Sequence, residues 1–360
     1  MSYTILEEDK ENHFKSSANN AIAVAMVDES YDDISTSFAD IINDVHTISE
    51  NQTIRTHGRD IPIDLMIGGD YKFLLTLLGM KAATSKHSCI YCDISTEDRQ
   101  DPEKTGKPRT TKNWTSQPGV KSKRIFENVP LCKYMVDELH LLLRVTDRLE
   151  DGLFHTIIDQ DQKNGDNKGQ TALISAMKGC GITLKFWKDK KDKNYEWTSL
   201  MGNDKKKMLR KLPSHFHEFL PPAQVEPTKE LWNDFEHLYN TMNRPSLSAE
   251  EIDVSENKAK EWIHKLQKMN GCGYSWNNPV TPYIHIMCKH VPEILREFGT
   301  LRLFSGQGVE KKNDQLRKIF HSKINRKEAC INLLRVEKRA QKLEEDGYSR
   351  QKRRYVRSEE

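Results

Sequence analysis

The sequence contains no apolar run close to the roughly 20 residues that a membrane-spanning helix requires. Its first residues, MSYTILEEDKENHF, include acids and have no long apolar core, so they do not resemble a secretory signal peptide. The seven cysteines are an odd number and include a Cys-x-x-Cys pair, which favours a reducing compartment over a disulfide framework. We therefore expect a protein of a reducing compartment, with no membrane partner.

Net charge is also low, at +3 over 360 residues, but the charges are unevenly distributed. Basic residues concentrate in segments 103–124, 185–211 and 350–357, and acids cluster in residues 28–64. Basic segments near an acidic pocket suit a nucleic-acid backbone held beside metal-binding carboxylates, and the alternative is a solvated lysine surface. The length is that of about two domains.

The first 80 residues have the pattern of an α/β fold. SYTIL alternates, and AIAVAMVDES is a short apolar run that predicts a buried strand ending at Asp28 and Glu29. Apolar spacing predicts a helix over 33–50, and IPIDLMIGGD predicts a second strand that ends at Asp70. A further helix follows, which Gly79 can close.

Carboxylates at strand ends are ligands for hard cations such as magnesium. Two such ions can activate the attacking oxygen and stabilise the leaving oxygen in phosphodiester cleavage. Glu29 and Asp70 are therefore candidate catalytic residues. The alternative for each is an ordinary acid exposed at the end of a strand or placed near a helix N-cap.

The middle of the sequence predicts a loop followed by helices. Residues 93–128 are poor in apolar side chains, and Trp114 lies in a basic stretch there that can be a linker or can contact nucleic acid. From Leu131 to about residue 270 helical patterns dominate, with a polar loop expected over 159–169. Asp137 and His140 fall within the first predicted helix as a functional or a purely structural pair. The predicted packing residues are Trp232, Phe235, Trp262 and Ile263.

Cys89 and Cys92, together with His285 and His290, have the composition of a tetrahedral Cys2His2 zinc site. In one straight helix the two histidines would point about 140° apart. Both can bind one metal only if a helix ends or bends between them, and Pro292 makes such a break plausible. The gap between the two halves is far longer than in a zinc finger.

Glu310 follows two glycines and lies in the first turn of a predicted basic helix. An acid at this position suits the helix dipole, and this is the alternative to a metal-binding role. A second charged helix is predicted over 326–346, before the basic C-terminal tail.

These pieces together resemble the RNase H-like recombinases that comprise the Transib transposases and the catalytic subunit of the V(D)J recombinase. The resemblance spans nearly the whole chain and depends on the order and intervals of six short motifs. They are VDES at 27–30, GGDYKFL at 68–74, CIYC at 89–92, HIMCKH at 285–290, VPEIL at 291–295 and QGVEKKN at 307–313.

The resemblance implies a role for each candidate residue. Asp70 and Glu310 resemble catalytic acids that bind magnesium, and Glu29 resembles an additional active-site acid. The four zinc ligands, which would join the insertion to the core, are Cys89, Cys92, His285 and His290. The family also implies nicking of double-stranded DNA at terminal inverted repeats with Mg²⁺ or Mn²⁺, transfer to target DNA by a 3′-hydroxyl, a homodimer and a nuclear location.

One departure from the family concerns its first catalytic aspartate, which lies on a strand preceding the SYTIL-like strand. No aspartate within residues 1–20 has the expected glycine-flanked context, so we expect impaired catalysis. The expected fold is α/β, an RNase H-like (retroviral integrase-like) core that is incomplete at its N-terminus and has a large zinc-linked helical insertion. The expected parts are the first part of the core (1–85), the insertion (86–283), the histidine pair with the last catalytic helix (284–325) and the basic C-terminal part (326–360). The alternative function is a non-catalytic, zinc-stabilised module that binds DNA or protein.

Overall fold

The computed structural model describes residues 1–6, 11–189, 194–272, 274, 276, 278–322, 324 and 326–348. It is a mixed α/β protein in which helices predominate. The strands are β1 (Ser2–Thr4), β2 (Asn19–Ala21), β3 (Thr53–Thr56), β4 (Arg59–Pro62), β5 (Ile67–Gly69), β6 (Tyr134–Val136), β7 (Phe186–Lys188) and β8 (Tyr195–Trp197). The α-helices are α1 (Tyr31–Ser37), α2 (Ala39–Asn51), α3 (Tyr71–Leu77), α4 (Glu138–Asn164), α5 (Lys168–Gly179), α6 (Gly202–Lys211), α7 (Pro222–Met242), α8 (Ala249–Lys268), α9 (Pro282–Lys289), α10 (Val291–Phe298), α11 (Gln307–Ser322) and α12 (Ala329–Glu345).

The strands of the described segments pair only two at a time. The pairs β1–β2, β3–β4 and β7–β8 are antiparallel, whereas β5 and β6 are parallel. The parallel pair joins segments that are far apart in sequence, with Gly69 opposite Val136. The structure belongs to the mixed α/β class, which is a broader category than the RNase H-like fold. The RNase H-like core therefore stays a prediction.

The chain divides into two compact units, residues 1–44 with 306–360 and residues 45–305. In the first unit, α11 approaches the N-terminal segment closely at Gly308, where a Cβ atom would lie 2.0 Å from the His13 carbonyl oxygen. Lys311 extends this contact by donating a hydrogen bond to the Phe14 carbonyl oxygen (3.1 Å). Glycine is therefore required at this position of α11.

The second unit has its core on α4, whose buried side chains include Leu141, Leu149, Leu153 and Phe154. Helices α7 and α8 pack against each other, and all four predicted packing residues are buried, namely Trp232, Phe235, Trp262 and Ile263. No helix in the described part of the chain combines the length and the apolar character needed to cross a bilayer.

The expected buried strand before Asp28 is wrong. Residues 22–30 have no strand structure, and Met26 and Val27 are 67% and 47% exposed. The amides of Ile22 and Ala23 both donate to the Met1 carbonyl oxygen, so the ladder with β1 ends there. The apolar run satisfied the sequence pattern but has no strand partner to continue it.

The helix predicted over 33–50 is confirmed as α1 and α2, and the predicted strand before Asp70 is confirmed in its last residues as β5. Gly79 ends the α3 segment as expected, with φ of +61°. The polar loop expected over 159–169 is mostly wrong, since α4 continues to Asn164 before Gly165 ends it with φ of +69°. Strand β6 was not predicted, because three apolar residues are too few to show a period.

Candidate metal centre

Cys89 and Cys92 lie in an irregular segment that backbone hydrogen bonds hold in place. Bonds of 3.0 and 2.8 Å join residues 91–93 to residues 107–109, and Cys92 forms an isolated β-bridge with Pro108. The Arg109 side chain reinforces the turn, because its Nε donates to the Cys89 carbonyl oxygen (2.7 Å). The two thiols are therefore fixed without belonging to a helix or a strand.

His285 and His290 flank the junction of two helices. His285 lies within α9, and His290 is the residue between α9 and α10, with φ of −113° and ψ of −26°. Pro292 occupies the first turn of α10, where the missing N–H of proline is tolerated. The predicted break between the two histidines is thus confirmed, and it lets both rings face one point.

The four side chains converge as a Cys2His2 set. Their ligand atoms all lie within 4.8 Å of one another. Cys89 Sγ is 3.5 Å from His290 Nε2, and Cys92 Sγ is 3.3 Å from His285 Nε2. Tetrahedral zinc with ordinary Zn–S and Zn–N bonds requires sulfur–nitrogen separations of about 3.6 Å. The observed distances therefore fit one tetrahedral ion with little movement.

Burial makes the site a closed one. Cys89, Cys92 and His285 are 3% exposed or less, and His290 is 9% exposed. Burial raises the pKa of the Cys89 thiol, whereas the hydrogen bond with Cys89, followed by those with the two histidines, lowers the pKa of Cys92. Burial also lowers the pKa of His285, which favours the neutral imidazole that a metal needs.

Hydrogen bonds outside the four ligands hold them in orientation. His290 points Nε2 at Cys89, and its other nitrogen, Nδ1, lies 3.4 Å from Glu293 Oε2. A carboxylate on the second nitrogen is the usual partner of a metal-binding histidine. Next to Cys89, the Ser88 carbonyl oxygen accepts a hydrogen bond from the Tyr71 hydroxyl (2.6 Å).

This buried group can bind a metal ion such as zinc. Two thiols and two imidazoles complete a tetrahedron and leave no position for water or substrate, which is the arrangement of a structural site. A bound ion would join segments about 200 positions apart, since Cys89 and His290 are separated by 201 residues. Its effect would be on stability and on the position of neighbouring groups.

The predicted catalytic acids are divided between the two units. Asp70 directly follows β5 in the second unit and accepts a hydrogen bond from the Phe73 amide (2.8 Å), so it is also the N-cap of α3. Glu29 and Glu310 belong to the first unit and are exposed, the latter in the first turn of α11 as predicted. Glu29 does not end a strand, which corrects the expected placement. A shared cation for Asp70 and Glu310 stays a prediction.

Two further sequence predictions concern side chains of the second unit, Trp114 and Asp137. Trp114 is buried, and its Nε1 donates a hydrogen bond to the Leu78 carbonyl oxygen (2.9 Å). Its ring is therefore part of the core, and a nucleic-acid contact of the surrounding basic stretch stays a prediction. Asp137 is the N-cap of α4 rather than a residue within the helix, and it directly follows β6. The sequence feature at this position is the apolar run before an aspartate, YMVD, which is too short to predict a strand.

No protein-family model matches the chain, and no curated protein matches it significantly.

Proposed function

We propose that this chain is the core of a DNA-cleaving and strand-transfer protein of the RNase H-like recombinase class, similar to the Transib transposases. A zinc ion would stabilise it through Cys89, Cys92, His285 and His290. Magnesium or manganese would bind Asp70 and Glu310, with Glu29 as an additional acid. The partners would be double-stranded DNA and a second copy of the chain, in the nucleus.

The observation that carries the proposal is the convergence of the four zinc ligands. Residue type, spacing and the resemblance all predict that these four residues bind one ion. Two of them lie 193 positions apart and two lie 201 positions apart, yet their ligand atoms meet in one buried group. This convergence of distant residues supports the proposal and its extension to the acids.

The placement of Asp70 also supports the proposal. It follows a parallel strand that ends in two glycines, and α3 begins directly after it. Ligand sites in sheets with parallel strands lie beyond the carboxyl ends of the strands. Asp70 is therefore where an α/β protein places a chemically active carboxylate.

Divalent cations, when bound, would supply an activated oxygen nucleophile and would neutralise charge on the leaving oxygen. Asp70 and Glu310 would hold them, and each carboxylate offers two oxygens for this purpose. Since only two of the three core carboxylates of the class are recognised in this sequence, we expect slow nicking rather than full strand-transfer activity.

Nicking of supercoiled plasmid in Mn²⁺ tests the proposal. We expect the zinc-loaded chain to nick DNA slowly, and Asp70→Asn and Glu310→Gln to abolish the reaction. Asparagine caps a helix as well as aspartate does, so Asp70→Asn retains the fold of α3. Asp253→Asn is the matched control, because Asp253 is an exposed acid of α8 that pairs with Arg296. Nicking by Asp70→Asn at the wild-type rate would refute the assignment.

The second candidate is a non-catalytic zinc-stabilised module that binds DNA or protein. The observation that favours it is the irregular, exposed segment that carries Glu29, where an active enzyme of the class would need an ordered strand. Zinc-dependent folding together with DNA binding, but without metal-dependent nicking by the wild-type chain, would select this candidate.

A further inference from the structure

Two carboxylates, rather than one, lie at the end of the parallel strand pair. Gly69 of β5 is opposite Val136 of β6, and the residue that follows each strand is an aspartate, Asp70 after β5 and Asp137 after β6. Both aspartates have extended backbone geometry and precede a helix. Residues in register on neighbouring parallel strands face the same side of the sheet at a spacing of about 4.8 Å. The sheet therefore brings the two acids to one place.

Hydrogen bonds from the chain orient each carboxylate. Asp70 uses Oδ1 for the Phe73 amide, and within the described residues its Oδ2 has no hydrogen bond. Asp137 uses Oδ1 for the Leu139 amide (2.9 Å), and its Oδ2 contacts His140 Nδ1. An ionised carboxylate has about four lone-pair sites, so a carboxylate that accepts hydrogen bonds can also bind a cation.

A buried hydroxyl group lies beside the two acids. The Tyr283 oxygen, on α9, accepts the amide hydrogen of Tyr71, the residue after Asp70 (3.3 Å). Tyr283 is only 7% exposed, and its own hydroxyl hydrogen has no acceptor among the residues that the structure describes. Tyr283 is close enough to Asp137 and Asp70 to interact electrostatically with both carboxylates. This buried hydroxyl group is therefore available to donate to an oxygen-bearing ligand.

We propose that Asp137 is a second carboxylate ligand, beside Asp70, of a divalent cation at the ends of β5 and β6. His140 is its positioning residue, and the Tyr283 hydroxyl donates to a cation-bound water or a phosphate oxygen. This inference rests on the proposed function, because it completes the Asp70 site with an acid of the same unit. It needs no contribution from Glu29 or Glu310.

The competing explanation is that Asp137 is only an N-cap. Asparagine caps helices about as well as aspartate but binds divalent cations much more weakly. Asp137→Asn therefore separates the two roles, since capping survives and cation binding does not. Unchanged helix content and thermal unfolding of the variant will show that α4 has formed.

The first experiment titrates the full zinc-loaded chain with Mn²⁺ and follows free Mn²⁺ by electron paramagnetic resonance. We expect Asp137→Asn to weaken the tightest site by about tenfold or more, as Asp70→Asn does, and Tyr283→Phe to weaken it by a smaller factor. Asp253→Asn is the control and should bind as the wild type does. Wild-type affinity in Asp137→Asn would overturn the inference.

The second experiment locates the ion. Fe²⁺ replaces Mn²⁺, and ascorbate with peroxide then cleaves the backbone near bound iron. We expect cuts close to both Asp70 and Asp137 that excess Mg²⁺ suppresses. Cuts near Asp70 alone, or at neither segment, would overturn the inference.

Neither experiment uses DNA, so failure of the two-aspartate site can be distinguished from failure of the proposed function. A wild-type chain that fails to nick DNA but is cut at both segments refutes the proposed function and supports the two-aspartate site. A chain that nicks DNA but is cut only near Asp70 supports the proposed function and refutes the two-aspartate site.

Discussion

Loss of one thiol ligand should destabilise the second unit far more than loss of a buried cysteine that binds no metal. Cys92→Ala removes a ligand of the candidate zinc centre, whereas Cys288→Ala removes a fully buried thiol of α9 between the two histidines. Both variants delete the same atom type from the same part of the structure. The difference in stability between the two variants therefore measures the contribution of the bound metal.

The expected magnitude follows from the chain that the ion joins. Cys89 and His290 are 201 positions apart, and a cross-link across a loop of that length restricts the unfolded chain by about 5 kcal/mol. Three remaining ligands would still hold zinc weakly, so this value is an upper limit for Cys92→Ala. For a unit of this size, about 2–4 °C of melting temperature correspond to 1 kcal/mol, so we expect a loss of about 10 °C. Cys288→Ala leaves a small cavity and should cost about 1 kcal/mol.

The assay is thermal unfolding, with and without a zinc chelator, and zinc content measured on the same samples. The wild-type chain and Cys288→Ala should each contain one zinc ion and should lose stability with the chelator. Cys92→Ala should respond much less. Equal melting temperatures for the two variants, or a wild-type melting temperature that the chelator does not change, would refute the reasoning.

Three other predictions concern stability and binding. Burial raises the pKa of Glu150 to about 7 in spite of Lys205, which lies 2.7 Å away. A raised pKa gives stability that is complete below the unfolded value near 4.5 and is lost as pH rises through about 7. The free energy of unfolding measured in urea should therefore fall by on the order of 1 kcal/mol between pH 5 and pH 7.5. Glu150→Gln should not show this fall, and equal pH profiles of the wild type and the variant would contradict the prediction. Gly79→Ala should destabilise the protein more than the control Gly165→Ala does. Both glycines have positive φ, but only at Gly79 would an added Cβ meet a backbone atom, the Lys123 carbonyl oxygen at 2.4 Å. Equal midpoints of the two variants in denaturant unfolding would contradict this prediction. Binding of duplex DNA, measured by fluorescence anisotropy, should weaken by orders of magnitude between about 50 and 200 mM salt, and salt-independent binding would exclude phosphate contacts.

The parts of the structure that the sequence predicted are those set by local chemistry. Periodic apolar residues predicted α7 and α8 with their buried tryptophans, and Gly79 predicted the end of the α3 segment. The break at His290 followed from the geometry of a helix together with Pro292. Each of these depends on residues within a few positions of one another.

The errors arose where a contact between distant residues decides the structure. The apolar run before Asp28 satisfies a strand pattern, but a strand needs a partner, and pairing with β1 stops at the Met1 carbonyl oxygen. The opposite case is β6, whose three residues became a strand because β5 lies beside them. Polar α4 residues extend the helix to Asn164, and the buried Asp161 then accepts the amides of α5. No local pattern contains these partners.

The metal centre and the aspartate pair share structural elements, which connects the two proposals. Helix α9 provides His285 for the metal centre and Tyr283 for the aspartate pair. On the other side, the Tyr71 hydroxyl donates to the carbonyl oxygen of Ser88, the residue before Cys89. Displacing either metal-binding segment would therefore shift a group that touches Asp70 or its neighbour. Since a ligand site depends on the residues that orient it, a metal ion bound by the cysteines and histidines would also set the geometry of the proposed carboxylate site.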